Sequence, residues 1–251
     1  MAHAMQTMAR LRAGLVDALY PPTCLTCQTR IEAAGRLCPE CWREMPFIRG
    51  PVCGLCGVPL PGDAAIPDDG ELRCDACLVL ARPWDAGRAA LIYEAAGRRF
   101  VLGLKHGDRL DYAAGAADWL LRVARGLVGP DTVFVPVPLH WSRLWRRRYN
   151  QSALISRAMA RRLGAEHAPL ALRRVRRTSM QKGRAIDARF ANVLGAVQPH
   201  PRHGAAVAGR EVALVDDVMT SGATLAACAE ALRAAGAARI VALPLARVAR
   251  D

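Results

Sequence analysis

At 251 residues and 52% hydrophobic, the chain can hold one mid-sized domain and a small one. No stretch reaches the ~18 to 20 continuous apolar residues of a bilayer-spanning helix, so no membrane span is expected. The formal charge of +13 is uneven. Residues 1–80 hold seven Arg against nine Asp or Glu, whereas residues 143–189 hold fourteen Arg or Lys against two acids. A basic stretch so concentrated points to a polyanionic partner.

The first twenty residues read as a short amphipathic helix ended by Pro21 and Pro22. They lack the apolar core and small-residue cleavage site of a secretory signal, so a soluble, cytoplasmic protein is expected.

Residues 21–82 are dense in Cys, Pro and Gly, with short helical patches such as Cys41–Glu44 and an exposed, turn-rich loop at Pro61–Gly70. Eight of the nine cysteines fall here in four C-x-x-C pairs. Cys24, Cys27, Cys38 and Cys41 carry a ten-residue spacer, and Cys53, Cys56, Cys74 and Cys77 a seventeen-residue one. Two cysteines three apart can aim both sulfurs at one ion, and two such knuckles complete a closed tetrahedral site. Two structural zinc ions with four thiolates each are expected, paired sequentially rather than crossed. A redox C-x-x-C would need one pair on a βα unit instead.

Arg82-Pro83-Trp84 marks a boundary, and residues 83–251 alternate strand and helix patterns. Strands are expected at Arg88–Glu94, Thr132–Val137, Val212–Val215 and Ile240–Leu245. Helices are expected at Tyr112–Arg125, Gln151–Leu163 and Ala223–Ala235, the last enclosing Cys228 as a buried apolar residue. Residues 173–210 are less regular and include a long loop. This alternation predicts an α/β fold, a parallel sheet flanked by helices.

The segment Val215–Thr224, VDDVMTSGAT, carries the chemistry. Thr220, Ser221, Gly222, Ala223 and Thr224 sit where backbone N–H groups and a helix N-terminus can cradle a phosphate. Asp216 and Asp217 repel phosphate and suit a different task, accepting hydrogen bonds from ribose hydroxyls close to a magnesium ion. A 5′-phosphorylated ribose satisfies both halves.

The loop resembles the phosphoribosyl pyrophosphate (PRPP) motif of type I phosphoribosyltransferases. The whole chain is similar to the ComF family (competence protein FC and GntX-like proteins), a double zinc ribbon followed by a phosphoribosyltransferase-like domain. The four cysteine pairs carry this resemblance, with Leu104–Asp108 (LKHGD), Val135–His140 (VPVPLH), Arg147–Ser152 (RRYNQS), Arg177–Gln181 and Arg189–Val193. The family usually has Gly where this chain has Arg148. The resemblance implies that Val137–Arg143 replaces the pyrophosphate loop, with Lys105, His140, Arg143 and Arg147 as pyrophosphate ligands. His140 and each arginine have a competing reading as packing or surface residues. Mg²⁺ with PRPP would serve Asp216 and Asp217 as catalytic residues.

Trp141, Trp145 and Tyr149 are interleaved with Arg143, Arg146, Arg147 and Arg148. Cations for a backbone and aromatic faces for bases suit single-stranded nucleic acid, although the tryptophans could instead be core residues. Arg173, Arg174, Arg176 and Arg177 extend the basic surface. Two functions follow. One is a ComF-like role in natural transformation, handling incoming single-stranded DNA with DNA-uptake or recombination proteins. The other is a metabolic phosphoribosyltransferase with an unidentified acceptor.

Overall fold

The apolar runs at Val212–Val215 and Ile240–Leu245 become the middle of a parallel sheet. The computed structural model describes residues 21–62, 72–106, 111–177, 190–191 and 193–249. The first-twenty-residue helix, most of the Pro61–Gly70 loop and residues 178–189 lie outside them. Strand β6 (Glu211–Met219) lies between β3 (Val133–Pro136) and β7 (Arg239–Arg247), with Val133 opposite Val212 and Val212 opposite Ile240. On the other side of β7 lie β1 (Ala86–Gly87) and β2 (Leu91–Ile92), and every pairing in this sheet is parallel. Ile240 to Arg247 are all buried, the unbroken pattern of a parallel strand covered on both faces.

Of the strand expected at Arg88–Glu94 only Leu91–Ile92 pairs, as β2, and β1 lies just before the expected range. Arg88, between the two, donates its guanidinium to the carbonyls of Gly54 and Gly87. β6 and β7 also run further than their apolar centres, because their pairing continues to Met219 opposite Arg247.

Helix α3 (Ala95–His106) precedes α4 (Tyr112–Val123), where Phe100 stacks on Tyr112 with ring centroids 4.3 Å apart. Helix α5 (Trp141–Arg147) follows β3, and α6 (Gln151–Leu163) packs on β3, β6 and α4. Helix α7 (Ala223–Ala234) packs on β6 and β7. It also covers an antiparallel ribbon, β4 (Leu172–Arg174) with β5 (Val197–Pro199), inside the stretch expected to be irregular. Its strands are too short to show a period. Cys228 is fully buried on α7, as expected.

The chain divides into compact units at Met45–Pro46, whereas the sequence suggests Arg82–Pro83. The smaller unit holds Cys24, Cys27, Cys38 and Cys41, with helix α1 (Pro39–Glu44) opening on Cys38. The larger unit keeps the second group, Cys53, Cys56, Cys74 and Cys77, the last on α2 (Asp75–Val79). Its first knuckle is bonded to the sheet. Gly87 donates N–H to Gly54 O at 2.7 Å, and Trp84 Nε1 donates to Leu55 O at 2.6 Å. Cys53, Cys56, Cys77 and Trp84 share one core with Val212, Leu214 and Leu232.

Within each group all four sulfurs lie within 4.8 Å of one another. Cys27 and Cys38 sulfurs are 3.6 Å apart, as are those of Cys56 and Cys74. A tetrahedron of Zn–S bonds of ~2.3 Å has edges of about 3.8 Å, so both groups fit a four-coordinate zinc in sequential pairing. Hydrogen bonds from Cys56 and Cys77 drive the Cys53 thiol below its ordinary range, and the same contact with Cys53 pushes Cys56 up. A bound cation would relieve this crowding by taking all four as thiolates.

Because the second group belongs to the core of the larger unit, Cys77→Ser will lower that unit's unfolding temperature. A loss of about 3 kcal/mol corresponds to roughly 6–12 °C at this size. Calorimetry with zinc content measured alongside checks this; an unchanged temperature would show that the core does not need the metal.

Candidate phosphate and ribose site

Parallel pairing brings the C-terminal ends of β3 and β6 to one edge of the sheet, where open α/β folds bind ligands. Pro136 lies opposite Val215, and Val137 donates N–H to Val215 O at 2.9 Å. The segment leaving β3 therefore starts beside Asp216.

Asp216 and Asp217 are the late residues of β6, not the loop positions that the apolar run suggests. Asp216 is buried. Its Oδ1 accepts from Ser152 Oγ at 3.1 Å and from the Asp217 N–H at 2.9 Å. Burial, and then the neighbouring charge of Asp217, raise its pKa to about 7. Asp217 faces the other way chemically, with Oδ2 3.2 Å from Lys105 Nζ on α3. Lys105 thus pairs with a carboxylate of the site.

The loop after β6 turns at Gly222, whose φ of +85° is left-handed. A Cβ there would come within 2.7 Å of Met219 Cε and 2.8 Å of Arg82 Nη1, so backbone angle and crowding both require glycine. Gly222 also begins α7 without a side-chain cap, leaving the twelve-residue helix's positive end open toward Thr220–Thr224. Two arginines hold the loop's carbonyls. Arg247 Nη1 donates to Thr220 O at 2.6 Å, and Arg82 Nη1 to Ser221 O at 2.8 Å. Ser221 Oγ accepts from the Ala223 N–H at 3.4 Å.

The RRYNQS motif ties this edge together. Asn150 Nδ2 donates to Val137 O at 3.0 Å, while its Oδ1 accepts from Ser152 N–H and caps α6. Tyr149 donates its hydroxyl to Leu104 O at 3.0 Å, next to Lys105. Arg147 Nη1 donates to Gln151 Oε1 at 3.5 Å. Arg147 Nε and Gln151 Nε2 are buried without a hydrogen-bond partner among the described residues. Arg148, in the place of the family's usual glycine, ends α5 at φ +66°, where the family's glycine would carry no Cβ penalty.

His140 is buried at the start of α5, and its Nδ1 meets the Ser142 N–H at 3.3 Å and Ser142 Oγ at 2.9 Å. Arg143 is half-buried on the same helix, and the Arg146 side chain lies outside the described residues. Trp141 and Trp145 are 73% and 86% exposed, so they are not core residues. Four apart on α5, they share one face. Arg173 and Arg176 are exposed, reaching Gln198 Oε1 and Leu194 O; Arg174 is half-buried and Arg177 exposed. Sequence reasoning singled out neither Arg82, Ser152 nor Arg247 as site residues. Only the N-Q-S part of the motif marked one of them.

Two outcomes follow. An acid with a raised folded pKa keeps its proton where the unfolded chain has lost it, so Asp216 makes stability fall between pH about 4 and about 7. Asp216→Asn keeps an oxygen acceptor for Ser152 and the Asp217 N–H. It will flatten that slope and raise the unfolding temperature of ligand-free protein at pH 8 by several degrees. Thermal scans across pH check this, and parallel slopes in both proteins would refute it. Arg148→Gly removes a left-handed side chain and will stabilise the protein by about 0.5–1 kcal/mol, read in urea unfolding.

The double zinc ribbon domain family matches residues 15–78, and the phosphoribosyl transferase domain family matches residues 150–249. The DNA utilization protein YhgH of Salmonella typhimurium is 34% identical over 210 residues, covering 81% of this chain and 87% of that protein. Competence protein F of Haemophilus influenzae is 29% identical over 231 residues, 89% of this chain and 96% of its own. Among solved structures, a Staphylococcus aureus hypoxanthine phosphoribosyltransferase is similar over 52% of this chain and 61% of its own, at 13% identity and a TM-score of 0.33. With its two four-cysteine groups and its parallel sheet, this chain belongs to the ComF family of double zinc ribbon and phosphoribosyltransferase-domain proteins.

Proposed function

We propose that this protein serves DNA utilization of the competence type, handling incoming single-stranded DNA in the cytoplasm through a basic, aromatic surface and a PRPP-type site. The names of its relatives, DNA utilization protein and competence protein F, support the general role. Among the described residues no helix is long and apolar enough to cross a membrane.

The observation that carries the DNA reading is the exposed pair Trp141 and Trp145 on α5, next to Arg143, Arg147 and Arg148. Exposed indoles cost solvation, and stacked bases would cover them at about 1–3 kcal/mol per base. Neighbouring guanidinium groups supply the phosphate contacts, with Arg173, Arg174, Arg176 and Arg177 extending them. Tyr149 contributes by holding α5 against α3.

In the site itself, Thr220–Thr224 would hold a 5′-phosphate at the open end of α7, and Asp216 and Asp217 the ribose hydroxyls. The buried, unpartnered donors of Arg147 and Gln151 suit pyrophosphate oxygens arriving over the β3 edge. Arg143 adds positive charge there, Lys105 would reach the pyrophosphate only by leaving its pairing with Asp217, and His140 shapes the turn. Two adjacent carboxylates are hard oxygen donors and fit Mg²⁺ delivered with PRPP. That ion would stabilise negative charge on a departing pyrophosphate.

The intact carboxylate pair also favours a second reading, transfer of phosphoribosyl groups from PRPP to an acceptor. Departure of pyrophosphate builds positive charge on the sugar, which the two aspartates would stabilise while arginines hold the leaving group.

Anisotropy titration with a fluorescent single-stranded oligonucleotide over a range of salt tests the first reading. The Trp141→Ala, Trp145→Ala double variant will bind roughly 10- to 100-fold more weakly with little change in salt slope. Removing Arg173 and Arg176 will shallow the slope. Wild-type protein that binds no oligonucleotide at low salt would sink the DNA role. For the phosphate site, PRPP with Mg²⁺ will raise the unfolding temperature of wild type and not of Asp217→Asn. Pyrophosphate release under the same conditions separates an enzyme from a binding protein.

A further inference from the structure

Arg82 sits between two features of the larger unit, and lies 5 residues from one and 139 from the other along the chain. Its Nε donates to Cys77 Sγ at 3.5 Å, and its Nη1 donates to Ser221 O at 2.8 Å. One guanidinium thus spans a ligand of the second cysteine group and the backbone of the phosphate loop. Its carbon lies 5.4 Å from the Trp84 ring centroid. Trp84 is itself held to the knuckle, through Nε1 to the carbonyl of Leu55, one of the two residues between Cys53 and Cys56 in sequence. On the loop side, Gly222 leaves no room for a Cβ between Arg82 Nη1 and the Trp84 ring edge. The loop is thus packed closely against Arg82 and Trp84, the two side chains that reach the cysteine group.

We propose that Arg82 is a positioning residue that makes ligand binding at Thr220–Thr224 depend on metal at Cys53, Cys56, Cys74 and Cys77. With zinc bound, four thiolates leave a net negative charge, and the guanidinium beside Cys77 balances part of it. The planar fork then has a fixed position from which its other arm holds Ser221 O. That bond orients the peptide between Ser221 and Gly222, whose N–H belongs to the cradle. Once the metal leaves, the Cys77 sulfur loses its fixed place and charge, Arg82 loses its anchor, and the loop loses one of the two arginines holding its carbonyls. Coupling between two sites is reciprocal, so a ligand in the cradle must also retain the second zinc. The device would let loss or oxidation of one cysteine group disable the phosphate site without touching a residue of the cradle.

The inference rests on the reading of Thr220–Thr224 as a phosphate site, and the test separates the two. Zinc release from the full-length protein is followed with a chromogenic chelator, with and without PRPP and Mg²⁺, and PRPP affinity is measured by calorimetry. In wild type, PRPP will slow one of two release phases about five-fold or more. In Arg82→Gln, with both zincs loaded, PRPP will bind about five-fold or more weakly and that protection will vanish. Arg82→Lys, which keeps the charge without the fork, will not restore it. Wild-type binding of PRPP with both release phases unchanged overturns the coupling alone. A wild type that binds no PRPP overturns the phosphate-site reading and the coupling with it. The wild-type release arm needs no variant, so the test stands even if Arg82→Gln fails to fold.

Discussion

The structure depends on one strand. β6 is hydrogen-bonded on both sides, to β3 and β7, and its buried run from Val212 does not stop where the apolar residues stop. It carries Asp216 into the same buried environment. A carboxylate in that position is costly to ionise, and the fold offsets only part of the cost, through Ser152 Oγ and the Asp217 N–H. Everything else at this edge follows from that placement. Lys105 neutralises the second acid, Asn150 fixes the helix that supplies Ser152, and the chain turns into α7 directly after the strand.

The loop after β6 is held by its carbonyls. Arg247 and Arg82 are both donors only, and they approach Thr220 O and Ser221 O. Fixing a peptide through its oxygen also fixes the direction of the N–H on the following residue. An arginine can therefore set the N–H directions of a turn from behind it. The same logic explains Gly222, which has neither the backbone angle nor the space for a side chain.

Of the two cysteine groups, one lies in the small unit and one is embedded in the larger, sharing a core with the sheet. The tandem spacing suggests two equivalent ribbons. Their surroundings make them unequal. A metal whose ligands share a core with β6 is bound together with the stability of the sheet, whereas a metal in a unit of its own chiefly folds that unit.

Local pattern made much of this legible. The C-x-x-C spacing marked the four knuckles, since sulfurs three residues apart converge on one point wherever the segment lies; which knuckles share an ion was decided by the fold, which groups them sequentially. Apolar runs located β3, β6, β7, α6 and α7, and the order of acids, T-S-G-A-T and helix marked the site. Short strands escaped, because two or three residues carry no period: β1, β4 and β5 exist only through their partners, and of the strand expected at Arg88–Glu94 only β2 pairs. The exposure of Trp141 and Trp145 was left open by the sequence, because an indole suits either a core or a stacking surface. Tertiary structure alone decided that Ser152 reaches Asp216 across 64 residues, that Arg82 reaches Ser221 across 139, and that the chain divides at Met45. Spacing along the chain governs contacts within a turn or two of backbone; contacts this distant are set by which strands pair and which faces are buried.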